Sequence, residues 1–342
     1  PEILTGRKVD YTSHSAEVVV GANQTKTVQI STTYSLPKAG AIKISPRVRQ
    51  RPQYELLSKK VPRAATGTLT CGAIEKQISL DLTTESASTL EGGDLPENTS
   101  CTMRITLGRN PLLKSYSQAK IGEDARDRVK GDTTSFSFTS PSRDGALNIE
   151  FDVWFEVARA ELTLTSSADV YTNAYKSEQK IPVPAEWKNA LFARDDGEFK
   201  VQASLSCNYS EAGKTENEKV PIELLPREEN VTTVPAPIGW KCELTSEPGS
   251  LRIPGADLES ANWTIASSDR AVGESHHAWQ VDGPARATLN AAYRMQLASF
   301  NVKKKVGGEG VAIVSGAKQF AVNISCALNG HNIPIPAPRK VP

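Results

Sequence analysis

The sequence predicts an all-β protein of tandem immunoglobulin-like sandwiches with inter-strand disulfides, and three observations carry that expectation. Apolar residues recur at alternate positions along most of the chain, the period of a half-buried strand. Gly and Pro punctuate these runs at short intervals, as turns between short strands require. The five cysteines stand singly on strand-like runs, with no C-x-x-C pair among them, which disfavours zinc-ribbon and thioredoxin readings.

The strands form a repeating set. "TVQISTTYSL", "ALNIEFDVWFEV" and "ATLNAAYRMQLASF" are aromatic or apolar on one face, and each is followed by a second strand: "AIKISPRVRQ", "AELTLTSSADV" or "FNVKKKV". A cysteine strand and a partner come next, in "ATGTLTCGAIEKQISLDL", "VQASLSCNYSEAGKTENEKVPIEL" and "QFAVNISCALNGHNIPIP". A different cysteine strand follows twice, as "SCTMRITLG" and "WKCELTS". Hairpin-like lead-ins, "AEVVVGANQTKTVQ", "SFSFTSPSRDGALN" and "HAWQVDGPARATLN", precede the aromatic strands; their Asn, Asp, Gly and Pro residues form turns. One strand set is thus used about three times. Helical pattern is confined to "SYSQAKIGEDARDRVKG" and "AEWKNALFARDDG", both short enough to be loop helices on a sandwich.

The acidic, Pro-containing stretches "TTESASTLEGGDLPENTS" and "PREENVTTVPAPIG" read as linkers. Cutting there predicts an incomplete sandwich over residues 1–86, then sandwiches over 97–228 and 238–342. The second and third each open and close on a cysteine strand, so Cys101–Cys207 and Cys242–Cys326 are the expected disulfides, with Cys71 unpaired or intermolecular. The rival scheme pairs Cys71 with Cys101 and Cys207 with Cys242, leaving Cys326 over; connectivity does not follow from spacing alone. Under the preferred cut, the first unit lacks its opening strand and exposes a sheet edge. Preceding residues of a longer protein supply that strand, a neighbouring subunit donates it by β-strand addition, or the unit is a shorter variant.

Composition narrows the function. A net charge of +1 gives no chain-wide attraction to polyanions, and no apolar run approaches the roughly 18 residues of a membrane span. The chain begins at Pro1 with no charged and apolar leader, so an export signal is expected to be absent or already removed. Isolated cysteines on strands suit an oxidising, exported environment. Acceptor triplets for N-glycosylation occur at Asn23, Asn98, Asn208, Asn230, Asn262 and Asn323; a Ser/Thr-rich chain produces the same triplets without any glycan.

Chemistry-bearing motifs are few. The four histidines are His14, His276, His277 and His331. The adjacent pair in "ESHHAW" would point to opposite faces of a strand and so reads as a solvated strand end, not a metal site. "ARDDGE" lacks calcium-loop spacing and reads as a turn. No nucleophile elbow, zincin helix, P-loop or dinucleotide fingerprint is present. No enzyme, cofactor or metal is expected.

Basic residues concentrate between positions 43 and 63. Arg47, Arg49 and Arg51 alternate and would share one strand face, with Lys59, Lys60 and Arg63 close by in sequence. The row is a candidate grip on an anionic glycan or envelope surface; the preferred reading is charge that protects an edge strand from pairing. Nucleic acid is disfavoured, because aromatics make up 6% of the chain and do not interleave with this row. In "EFDVWFEV", Phe151, Trp154 and Phe155 put rings on both faces. An outward ring could be a sugar platform, though core or interdomain packing is preferred.

Arrays of disulfide-bearing sandwiches of this kind resemble, in architecture alone, the tandem Ig-like modules of surface and fimbrial adhesins. The resemblance implies a non-enzymatic, exported structural or adhesive protein on a cell surface, appendage or particle, assembling through exposed β-edges. The alternative is a soluble or surface lectin-like glycan binder.

Overall fold

The computed structural model describes residues 10–12, 18–29, 33–35, 38–91, 95–173, 178–194, 197–226, 231–267, 270–272, 278–296, 325–328 and 330–333. It divides into two compact units, Pro1–Ala158 and Arg159–Pro342.

The first unit contains β1 (Ala41–Gln50), β2 (Ala64–Cys71), β3 (Ile74–Asp81), β4 (Ser88–Leu90), β5 (Ser100–Leu107), β6 (Leu113–Ile121), β7 (Thr133–Thr139) and β8 (Ala146–Val157). One of its sheets runs β6-β8-β1-β4 with short strands beyond β6, and the other runs β7-β5-β2-β3. Strict alternation builds the core between them. Cys101, Met103, Ile105 and Leu107 of β5 are buried, as are Ile149, Phe151, Val153 and Phe155 of β8. Each such aromatic contributes about 1.5–3 kcal/mol of burial. A single-turn helix α1 (Glu55–Ser58) after β1 adds Leu56 and Leu57 to this core.

The second unit repeats the plan. Its strands are β9 (Arg159–Asn173), β10 (Val201–Glu211), β11 (Lys214–Leu224), β12 (Thr232–Pro237), β13 (Lys241–Ser246), β14 (Ala256–Ser267), β15 (Trp279–Gln280) and β16 (Ala285–Met295). The sheets run β14-β16-β9-β12 and β15-β13-β10-β11. Every strand therefore takes the place of the one eight labels earlier. The fold is all-β, with two-sheet modules in tandem and inter-strand disulfides, as the alternation predicts.

In each unit the strands that open and close this two-sheet plan, β1 with β8 and β9 with β16, lie side by side and parallel. β1 pairs β8 from Ala41↔Ala146 to Gln50↔Trp154, with a bulge at Val153/Trp154. β9 pairs β16 from Leu162↔Ala285 to Tyr171↔Arg294. The backbones close tightly where β1 begins: a Cβ on Gly40 would lie 1.8 Å from the carbonyl oxygen of Gly145. Only glycine fits there.

This topology moves the module boundaries away from the expected cuts at 86–97 and 228–238. β4 (Ser88–Leu90) and β12 (Thr232–Pro237) fall within the stretches read as linkers, and each pairs with the opening strand of its own unit. The change of unit occurs at Ala158, a single residue between two long strands. A module is complete only when its last strand seats beside its first, so its limits lie at β1 and β8, not at the cysteine strands.

The disulfides are Cys71–Cys101 and Cys207–Cys242, which corrects the expected Cys101–Cys207 and Cys242–Cys326. Cys101 and Cys207 belong to different units. Within each unit the bonded cysteines are register partners on adjacent strands, Cys71↔Cys101 on β2 and β5 and Cys207↔Cys242 on β10 and β13. Their Cα atoms are 4.2 and 4.0 Å apart. Cys71 is therefore not the unpaired thiol. β2 has a neighbour on each side, so the first unit has no missing strand at that edge. The free cysteine is Cys326.

The two helical expectations divide. Residues 115–131 are extended: β6 buries Leu113, Ser115, Ser117 and Ala119 on one face, and its small polar inward residues disguise the period of two. The second segment is helical, as α2 (Ala185–Phe192), which begins after Pro184 and buries Ala190, Leu191 and Phe192. Phe192 meets Tyr293 edge-on at 5.9 Å. A last hairpin, β17 (Cys326–Leu328) and β18 (His331–Ile333), packs against α2.

Candidate functional site

The feature both units share is a parallel seam with a cross-linked sheet facing it. In β1 and β8, Ile44 and Ile149 are register partners and both fully buried. In β9 and β16, Leu164 partners Ala287, again fully buried. Because the paired strands are parallel, the start of β1 and the end of β8 lie at opposite ends of the seam. Tension between those points loads its hydrogen bonds together in shear. The facing sheet holds a disulfide whose cysteines are at most 3% exposed.

The expected basic row is broken up and neutralised. β1 pairs β8 along its length but β4 only over Ile42–Ile44, so the stretch that carries Arg47 and Arg49 keeps one open flank. Arg47 pairs with Glu150 at 3.0 Å and Arg49 with Asp152 at 2.9 Å, both across the seam on β8. The strand ends at Gln50, so Arg51 leaves the row. Arg51, Lys59 and Arg63 instead line a groove of about 760 Å³ together with Glu55, Ser58 and Thr83. Lys59 bonds Glu55 one turn away, while Lys60 is half-buried and lies outside the groove lining. On the open flank of β1, the Glu85 carboxylate accepts the Val48 N–H at 3.2 Å, capping a donor that a further strand would use.

The aromatic residues separate by face. Phe151 and Phe155 are core. Trp154 points outward, and the Arg128 guanidinium lies 4.3 Å from its ring centroid and 4.3 Å from that of Tyr116. Arg128 therefore covers a ring face that a sugar would use, a contact of about 0.5–1 kcal/mol at an exposed site. Nothing in the spacing of Tyr116, Arg128 and Trp154 announces this stack; it follows from the Trp154↔Tyr116 register. Trp240 is fully buried in the second unit and Trp263 nearly so.

The glycosylation candidates scatter. Asn23, Asn98 and Asn262 are exposed, and Asn208 is half-buried on β10. Asn230 and Asn323 lie outside the described residues, as do His14, His276 and His277. Among the described residues no group of three or more His, Cys, Asp or Glu side chains is placed to hold a metal ion. No described helix is long and apolar enough to cross a membrane. In the acidic "ARDDGE" segment Ala193 pairs Glu198 and Arg194 pairs Gly197.

Among the described residues, two carboxylates and one phenol have shifted pKa values. Asp81 accepts the N–H groups of Thr83 and Thr84 at 2.7 and 3.2 Å, which holds its pKa below the usual range. Hydrogen bonds from Gln202 and Lys200 do the same for Glu223. Burial pushes the Tyr293 phenol up to about 12; its hydroxyl has no hydrogen-bond partner among the described residues.

No protein family and no curated protein matches this sequence. Solved structures do match. A major pilin (T-13) of Streptococcus pyogenes is 9% identical over 75% of this chain and 98% of its own, with a TM-score of 0.27. The Bacillus anthracis TIE protein is 12% identical over 78% of this chain and 37% of its own, with a TM-score of 0.31. A Mobiluncus mulieris adhesin with intramolecular disulfide, isopeptide and ester cross-links is 11% identical over 67% and 84%, with a TM-score of 0.25. The chain resembles these pilin and adhesin β-proteins in general build, without a shared sequence signature. At such TM-scores the likeness carries no argument about what this chain does.

Proposed function

We propose that this chain is an exported, non-enzymatic structural or adhesive element of a cell-surface, appendage or particle assembly. Its modules resist tension along the polypeptide. The observation that carries the reading is the parallel seam, present in both units, which joins the first strand of each module to its last. Force applied at the ends of such a module must shear a full row of backbone hydrogen bonds at once, whereas antiparallel terminal strands would unzip one bond at a time. Disulfides on neighbouring strands fit an oxidising location.

Joining to neighbours is by β-strand addition. The outer strands β3 and β11 are poor acceptors: β3 carries Glu75 and Lys76, and β11 carries Lys214, Glu216, Glu218, Lys219 and Glu223. Such charges deter edge pairing, so an acceptor edge is sought elsewhere in the chain.

Single-molecule pulling tests the reading. A module held at Ala41 and Val157 should unfold at clearly higher force than the same module held through handles on Glu75 and Ala125, which load the sheets in another direction. Equal forces in the two geometries would overturn it.

A further inference from the structure

We propose that the β17–β18 hairpin is the acceptor edge of a further module, and that it takes a cysteine-bearing strand in antiparallel register with a disulfide at Cys326. The proposal rests on the structural reading above for the idea that modules are joined, and it names how.

Three hairpins in the chain have one design. β2–β3, β10–β11 and β17–β18 each carry a cysteine on the first strand, and their innermost register pairs, Cys71↔Ile74, Glu211↔Lys214 and Leu328↔His331, are three positions apart in sequence. Gly213 and Gly330 hold the second turn position with φ of +79° and +76°, and Gly72 holds the first with φ of +59°, the left-handed region that two-residue hairpins use. In two of the three, the cysteine is bonded to the strand on the far side of the hairpin. In the third it is free and half-buried.

The register makes the third equivalent to the others in a stricter sense. The residues that flank a two-residue turn exchange both backbone hydrogen bonds, and such pairs alternate with non-hydrogen-bonded pairs along the ladder. Cys71 pairs Ile74 directly at the turn. Cys207 pairs Glu218, four residues back from the flanking pair Glu211↔Lys214. Cys326 pairs Ile333, two residues back from Leu328↔His331. All three steps are even, so all three cysteines spend their backbone N–H and C=O on the hairpin partner.

It follows that all three present a non-hydrogen-bonded position to the opposite side. There, directly opposed residues approach most closely, near 4.5 Å between Cα atoms. The two formed disulfides occupy this position, with Cα separations of 4.2 and 4.0 Å. A cysteine one residue earlier or later would meet its opposite number across a wider pair. Cys326 thus stands where the repeat makes its cross-link, on a strand whose second neighbour is not β18.

The occupant is set by the same logic. The strands that fill this place in the two units are Ser100–Leu107 and Lys241–Ser246, with alternating inward residues Cys101, Met103, Ile105 and Leu107 in one and Cys242 and Leu244 in the other. The partner is therefore a strand with cysteine followed by an apolar residue at the second position, and, as in Ser100–Leu107, at the fourth. Closure needs an oxidant, such as a small-molecule disulfide. The Cys326 thiolate attacks oxidised glutathione and releases one glutathione thiol. The partner thiolate then attacks the Cys326 sulfur and releases the second. Two protein thiols and one glutathione disulfide become one inter-strand disulfide and two glutathione thiols.

The test uses the full chain with its two native disulfides, oxidised glutathione, and a synthetic peptide of residues 99–107. A scrambled peptide keeps its cysteine but breaks the alternation. Intact mass and peptide mapping read the adduct. The expected result is one peptide per chain, bonded to Cys326, favoured over the scramble by roughly tenfold, as a few cross-strand pairs provide. Cys326→Ser should abolish the adduct, and Gly330→Val, which strains the turn, should remove the preference while leaving a reactive thiol. Equal uptake of both peptides, a Cys326–Cys326 dimer in preference to the peptide, or attachment at another cysteine would overturn the proposal. The pulling experiment reads the seam and this one reads the hairpin edge, so either can fail without the other.

Discussion

Ile149 of β8 lies beside Ile44 of β1 in parallel register, and neither side chain is exposed. The pair fixes β8 to β1. Ile149→Ala removes three buried carbons where the sheet has least room to collapse, and should destabilise the unit by about 2–5 kcal/mol. Urea denaturation followed by near-UV circular dichroism checks it; a loss under about 1 kcal/mol would mean that the seam is not tightly packed.

The two disulfides close loops with sequence separations of 30 and 35 residues. On chain-entropy grounds each is worth about 3–4 kcal/mol. Cys71→Ala with Cys101→Ala should lower the stability of the first unit by that amount. Non-reducing peptide mapping of the parent chain should recover Cys71 linked to Cys101 and Cys207 linked to Cys242, with Cys326 open to alkylation.

Arg47 and Arg49 differ in what they leave behind when removed. Glu150 is 31% exposed and can return to water, whereas Asp152 is 16% exposed and already has one buried oxygen without a partner among the described residues. Arg47→Ala should therefore cost about 0–1 kcal/mol. Arg49→Ala should cost more, because the Asp152 charge is then stranded. Thermal melts of the two variants at low salt give the order, and the reverse order would contradict the ion-pair geometry.

Tyr293 gives the second unit an alkaline limit. Its folded pKa of about 12 exceeds the unfolded value of 10, so between those values the unfolded chain has lost a proton that the folded one keeps. The stability of this unit should be level below pH 10 and fall as pH rises toward 12. Tyr293→Phe also removes a buried hydroxyl with no partner among the described residues, and should leave stability at neutral pH equal or higher. Denaturation midpoints across this range should show a flatter alkaline decline in the variant.

Much of this fold was legible from alternation alone, because a strand with one buried face must repeat every second residue. "SCTMRITL" and "ALNIEFDVWFEV" form β5 and β8 as written. The repeat was legible too, but its phase was not. Pro-rich and acidic stretches suggest exposed backbone, yet here the paired strands β4 and β12 lie within them; the true junction at Ala158 is one ordinary residue. Phase also decided the cysteines. Opposed positions on adjacent strands depend on register, which is a property of the folded sheet, so Cys71–Cys101 became definite only with β2 against β5. The partners of the charged row were hidden for the same reason: Glu150 and Asp152 lie about a hundred positions from Arg47 and Arg49 in sequence, and parallel pairing alone brings them together.

Seating β8 beside β1 also governs how the protein comes into being. During synthesis the opening strand of each module must wait, unprotected, until the closing one has left the ribosome. Contacts so distant along the chain make for slow folding, and a nascent module stays vulnerable to stray pairing throughout. A holding factor during production, or passage across a membrane before folding, would suit such a polypeptide well.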